Sequence, residues 1–240
     1  VRFQDASPDA RAVVYAGIQA DPLVARAADL LAGATLDQRI LARAVMNGMS
    51  TTPATWLAMF PSLFGPAAPG DGPERARSEA ILAASLEVAE RGEQVRSQFR
   101  GAIVEALTEA LIRRRPGAAV GSSAVGPVAA VPAAPAVRRE RRILFDGVRA
   151  EIHPYDVTVE TPGAAEAIDC KWGARGINAD VLHQLDDART HAADEDEVIT
   201  ATIVVYDAER SCAVRLERET APHAATRLIG LESLDRLAGR

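Results

Sequence analysis

Apolar residues recur every three or four positions along the early part of the chain: Leu23, Ala27, Leu30 and Leu31, then Ile40, Leu41, Ala44 and Val45. That spacing lines one face of an amphipathic helix, so residues 9–60 read as helical. Pro53, Pro61, Pro66 and Pro69, with Gly65, Gly70 and Gly72, then break the chain into a loop. A longer helical pattern runs from Glu74 to Arg115, with Phe99, Ile103, Leu107 and Leu111 on one stripe. Gly92 and Gly101 are the places where it would divide. Residues 116–137 hold only Ala, Pro, Gly, Ser and Val. Prolines interrupt any helix there and small side chains bury little area, so the stretch reads as a flexible or extended linker.

After Arg142 the period changes from helical to alternating. Ile143–Phe145 and Val148–Ile152 flank Asp146-Gly147, a two-residue hairpin signal. Asp156–Glu160 alternates polar and apolar, residues 161–164 turn the chain, and Glu166–Trp172 alternates again. Asn178 is placed to cap a helix reaching His191, with Val181, Leu182, Leu185 and Ala188 on its buried face. Val198–Tyr206 carries an unbroken apolar run, as a buried central strand does. Cys212–Leu216 is expected as its hairpin partner and Ala224–Leu237 as a last helix. The predicted architecture is α/β, a mixed sheet flanked by helices. It divides into a helical N-terminal region, 1–74, and a C-terminal domain, 75–240, that contains the linker.

Composition narrows the setting. No run of about 18 apolar residues occurs, which argues against a membrane span. The first residues lack the basic-then-apolar layout of a secretory signal. Two cysteines, Cys170 and Cys212, make no disulfide framework, so a reducing cytoplasm is the expected location. The formal net charge of −6 gives no global attraction to nucleic acid. Contact with it would depend on local basic clusters, Arg113-Arg114-Arg115 and Arg138–Arg142, which otherwise are solvated flanks of the linker. Of the 27 basic residues all but Lys171 are Arg. Where Arg has displaced Lys everywhere else, the surviving lysine points to a need for a compact, tunable ammonium.

The chemistry concentrates around that lysine. In the strand EAIDCKW, Asp169 and Lys171 share one face, and Ile168, Cys170 and Trp172 share the other. A hairpin centred on Pro162-Gly163 sets Glu160 against Ala165, Thr158 against Ala167 and Asp156 against Asp169. Opposed carboxylates repel unless a cation lies between them. A hard divalent cation suits such oxygen donors. A one-residue slip in register would separate the two acids.

The segment HPYDVTVETPGAAEAIDCKWG resembles the core of the PD-(D/E)XK, or restriction-endonuclease-like, nuclease superfamily: an acid on one strand, a hairpin, then acid-x-Lys on the next. The resemblance covers roughly residues 95–210. It implies a restriction-endonuclease-like sheet and an Mg2+-dependent (or Mn2+-dependent) endonuclease-type hydrolase acting on DNA. Asp156 and Asp169 would be metal ligands, the Cys170 carbonyl a third, and Lys171 the catalytic amine. The family's helical Glu maps to Glu105, with Glu109 as competitor, and its Gln on the following helix maps to Gln184. On a helical wheel Glu105 falls nearly opposite the Ile103–Leu107 stripe. Pro154 stands one place earlier than in the family motif, and Tyr155 directly precedes Asp156.

Other residues rank lower. His153, His183, His191 and His223 show no metal-ligand spacing, Cys170 is expected as a packing thiol, and Trp56 and Trp172 read as core. Three functions remain: a DNA nuclease in restriction, repair or defence; a non-catalytic nucleic-acid-binding or scaffold module on the same fold; and an unrelated α/β interaction protein. The complete Asp156, Asp169, Lys171 set favours the nuclease, since a decayed site is expected to have lost a member. The N-terminal helices are the expected surface for a second copy or a partner protein.

Overall fold

Helices fill the first half of the chain, as the apolar spacing predicts. The computed structural model describes residues 2–6, 10–66, 72–116, 135–145, 148–149, 153–161 and 164–240. These form two compact units, one of residues 8–107 and the other of residues 1–7 with 108–240. The helical unit contains α1 (Ala10–Gln19), α2 (Pro22–Ala32), α3 (Leu36–Asn47), α4 (Pro53–Met59), α5 (Pro61–Phe64), α6 (Pro73–Ala89) and α7 (Glu93–Ile112) as far as Leu107. Asp21 caps α2, and Thr35 and Gln38 form a capping box on α3. Leu23, Ala27 and Leu31 of α2 are buried, as are Leu41, Val45 and Met46 of α3, and both helices pack on α6. Ile40 is exposed instead, because the buried stripe of α3 runs one position later. Trp56 is buried, and its indole donates to Ser50 O at 3.0 Å. Gly92 separates α6 from α7 as expected, whereas Gly101 lies within α7.

The second unit is built on a mixed sheet. Its strands are β1 (Arg2–Asp5), β2 (Ala136–Phe145), β3 (Val148–Arg149), β4 (Tyr155–Thr161), β5 (Ala164–Lys171), β6 (Val198–Val205) and β7 (Arg227–Ile229). The order is β1-β2-β4-β5-β6-β7, with β3 beside β2. β4 and β5 are antiparallel, and β5, β6 and β7 are mutually parallel. A parallel neighbour requires a crossover, which α8 (Ala179–Asp194) supplies between β5 and β6 and α9 (Glu209–Leu216) between β6 and β7. Asn178 Oδ1 accepts from Val181 N at 3.0 Å, capping α8. Leu182, Leu185, Ala188 and Ala192 bury its apolar face with Ala165, Ala167, Ile199, Ala201, Ile203 and Val205. Among the described residues, no helix is long and apolar enough to cross a membrane.

Several elements differ from the sequence expectation. Cys212–Leu216 is not a strand but most of α9, with Cys212 as its buried residue; a five-residue apolar-polar pattern fits either period, and the parallel connection demands a helix. Arg227–Ile229 is β7, so the expected last helix is confined to a 3-10 helix, Leu231–Ala238. β2 begins at Ala136, inside the expected linker, because Val137 pairs with Val159. β1 carried no recognised signal. Val148 pairs with Phe145, as a hairpin there requires. Residues 117–134 of the linker, the turn residues Asp146-Gly147 and Pro162-Gly163, and 150–152 lie outside the described residues.

Candidate active site

The β4–β5 register is the one alternation predicted: Val157 pairs with Ile168, Thr158 with Ala167 and Glu160 with Ala165. The next pair in that register is Asp156 with Asp169. The backbone ladder stops just short of it, and the Asp156 carboxylate takes over: its Oδ2 accepts from Cys170 N at 2.6 Å. This contact ties the end of β4 to the middle of the Asp-Cys-Lys segment. Cys170 points away, its thiol buried and donating to Thr108 Oγ1 at 3.5 Å. Both faces of β5 are packed: Ala165 and Ala167, on the face of Asp169 and Lys171, lie in the core with α8, so the chemistry is confined to the end of that face.

Lys171 ends β5 and forms an ion pair with Asp169 Oδ1, the Lys side chain 25% exposed and the Asp side chain 10%. Burial opposes the Lys171 charge, but the carboxylates of Asp169 and Asp156 outweigh it and hold the ammonium above its ordinary value. Burial pushes the Asp169 carboxyl up, against the attraction of Lys171 and a weaker one from His153. Asp156, Asp169 and Lys171 thus act on one another electrostatically at neighbouring strand ends. Asp169 Oδ1 is buried, and the Lys171 ammonium is its partner. Two carboxylates on adjacent strands are donors of the kind a hard divalent cation takes.

The remaining candidates are placed differently. Glu105 is buried, not on an exposed face as the wheel suggested; buried residues occur all round α7, Ala102, Ile103, Val104 and Leu107 among them. Its carboxylate accepts from Tyr15 Oη at 2.5 Å and Gln19 Nε2 at 2.7 Å, both in the helical unit. Glu109, the competitor, is held by Arg113 at 2.6 Å and Arg139 at 2.8 Å. Gln184 spends its amide on the backbone of His153, donating to the carbonyl at 2.9 Å and accepting from the amide at 3.3 Å. Tyr155 Oη donates to Gln184 O at 3.0 Å, so α8 fixes the segment that leads into Asp156. His153 is exposed.

Three residues near the site escaped sequence reasoning. Glu140 has φ of 54°, in the left-handed region that a non-glycine residue seldom occupies. By the β2–β4 register it stands opposite Asp156, and carboxylate oxygens of the two lie within 4.8 Å of one another. Asp207, after β6, accepts from Ala174 N at 3.0 Å and from Ala208 N at 2.8 Å. Gly176 lies directly against the Lys171 stem. A strained backbone angle and a close glycine contact have no counterpart in hydropathy. No protein-family model, no curated protein and no solved structure matches the chain.

Proposed function

We propose that this chain is a metal-dependent nuclease that hydrolyses phosphodiester bonds, with DNA as substrate, on a restriction-endonuclease-like core. One observation carries the reading: the sole lysine lies in the field of two carboxylates that come from adjacent strands in the expected register. The order α7, β2, β4, β5, α8, β6, a helix followed by antiparallel strands and a parallel crossover, supports it.

Asp156 and Asp169 would hold Mg2+ or Mn2+, with the Cys170 carbonyl as a third donor. When bound, such an ion polarises a phosphoryl oxygen and acidifies water. Asp156 keeps the strand end closed through the Cys170 amide, so the carboxylates and the lysine share one rigid frame. Lys171 supplies an ammonium that remains charged at neutral pH and stabilises the negative charge growing on phosphorus. Gln184 and Tyr155 hold the approach to Asp156. Restriction, defence or repair are the roles such an activity would serve.

Incubation with supercoiled and linear DNA, and with RNA, with and without Mg2+ or Mn2+, tests the proposal. Metal-dependent cleavage lost in Asp156→Ala and Lys171→Ala supports it. Binding without cleavage under every condition would replace it with the non-catalytic module.

A further inference from the structure

We infer that Gly176 and Asp207 are positioning residues for Lys171, forming a clasp that aims its ammonium; the catalytic meaning of this rests on the proposed nuclease function. After Lys171 the chain makes a tight turn, with Gly176 N donating to Gly173 O at 2.9 Å and Ile177 N to Ala174 O at 3.1 Å. The turn folds back on the lysine. A Cβ at position 176 would lie 3.0 Å from Lys171 Cβ, 2.9 Å from Cγ and 2.8 Å from Cδ. Those atoms are the base and middle of the stem, so they cannot swing aside as a side-chain tip would. Close approach, not an unusual backbone angle, is what demands glycine here.

Asp207 fastens the turn. Its two carboxylate oxygens receive Ala174 N and Ala208 N, joining the turn to the start of the β6–α9 connection. Its carbonyl accepts from Leu231 N at 2.9 Å, and Lys171 O accepts from Tyr206 N at 2.8 Å. At the exit, Arg215 Nε donates to Ile177 O at 3.0 Å. A free lysine stem loses rotamer freedom when immobilised; a wall fixed by these hydrogen bonds imposes that order before any substrate arrives. Gly173 provides the contrast, since a Cβ there would make an ordinary contact at 3.6 Å with Asp207 Oδ2.

Because Lys171 is the chain's one lysine, its amine can be followed alone. Metal-free full-length protein is acylated with an N-hydroxysuccinimide ester at one fixed pH, and the peptide carrying Lys171 is quantified by mass spectrometry over time. Gly176→Ala and Asp207→Asn are expected to raise the acylation rate several-fold, whereas Gly173→Ala leaves it unchanged. In DNA cleavage the first two should lose kcat with little change in KM. Should Gly176→Ala fail to fold, Asp207→Asn decides. A wild-type acylation rate in folded Asp207→Asn would overturn the clasp. Absence of nuclease activity in the wild type, together with altered acylation in the variants, would leave the clasp standing and remove only the catalytic reading.

Discussion

At the scale of single residues, the decisive one is Lys171. Arginine keeps the positive charge but brings a broader, planar head. Gly176 lies against the Cβ, Cγ and Cδ that both side chains share, so the difference falls on the head group, which the guanidinium places differently. Misplacement of a catalytic group by about 1 Å can cost on the order of a hundredfold in rate. Lys171→Arg is therefore expected to fold and bind DNA yet lose nearly all cleavage; wild-type turnover in that variant would remove the catalytic role. Asp169→Asn carries a different expectation. Charge repulsion with Asp156 alone would make its removal stabilising, but Asp169 is buried and paired with Lys171. Losing a charged partner there should cost about 1–3 kcal/mol in denaturant titrations, and calorimetry should show Mg2+ or Mn2+ binding abolished.

At the scale of elements, Gln184 separates two roles. The resemblance would make it a member of the site, whereas its amide is taken up by His153. Gln184→Ala should then lower stability by about 1 kcal/mol and speed hydrogen exchange at the His153 amide. Exchange unchanged at that amide would deny the bracing role. The same comparison shows what was legible beforehand. The β4–β5 register was, because alternation on both strands and a Pro-Gly turn agree on one pairing. The capped α8 was, through Asn178 and its apolar period. α9 was not: with Cys212 as its buried residue it has no stripe to read. The start of β2 was hidden by Ala and Val that look like the linker before them. Glu140 and Gly176 were hidden because a backbone angle and a steric contact exist only after folding.

At the scale of the whole molecule, charge sets the terms of any encounter with nucleic acid. The chain carries a formal −6 with a pI near 5.3, and within the two basic clusters Arg113 pairs with Glu109 and Arg138 lies 4.0 Å from Glu160. Long-range attraction is therefore weak, and few phosphates can be neutralised at once. Each contributes about 0.9 to the slope of log affinity against log salt. Fluorescence anisotropy with labelled duplex DNA should give a slope of no more than about 2–4 in magnitude, reduced further by Arg138→Glu. A steep slope unchanged by that substitution would place the contact surface elsewhere.

The stacking of Trp172 on Tyr206, ring centroids 4.9 Å apart and planes inclined by 23°, has an optical consequence. The chain holds two tryptophans, and the other, Trp56, belongs to the helical unit. Trp56→Phe would leave one indole fluorophore in the protein, adjacent in sequence to the lysine and in contact with a tyrosine that can pass excitation to it. Its emission would then act as a built-in gauge of the strand end, shifting in wavelength or intensity when a cation, a nucleotide or a neighbouring substitution moves the backbone around Lys171, with no dye attached.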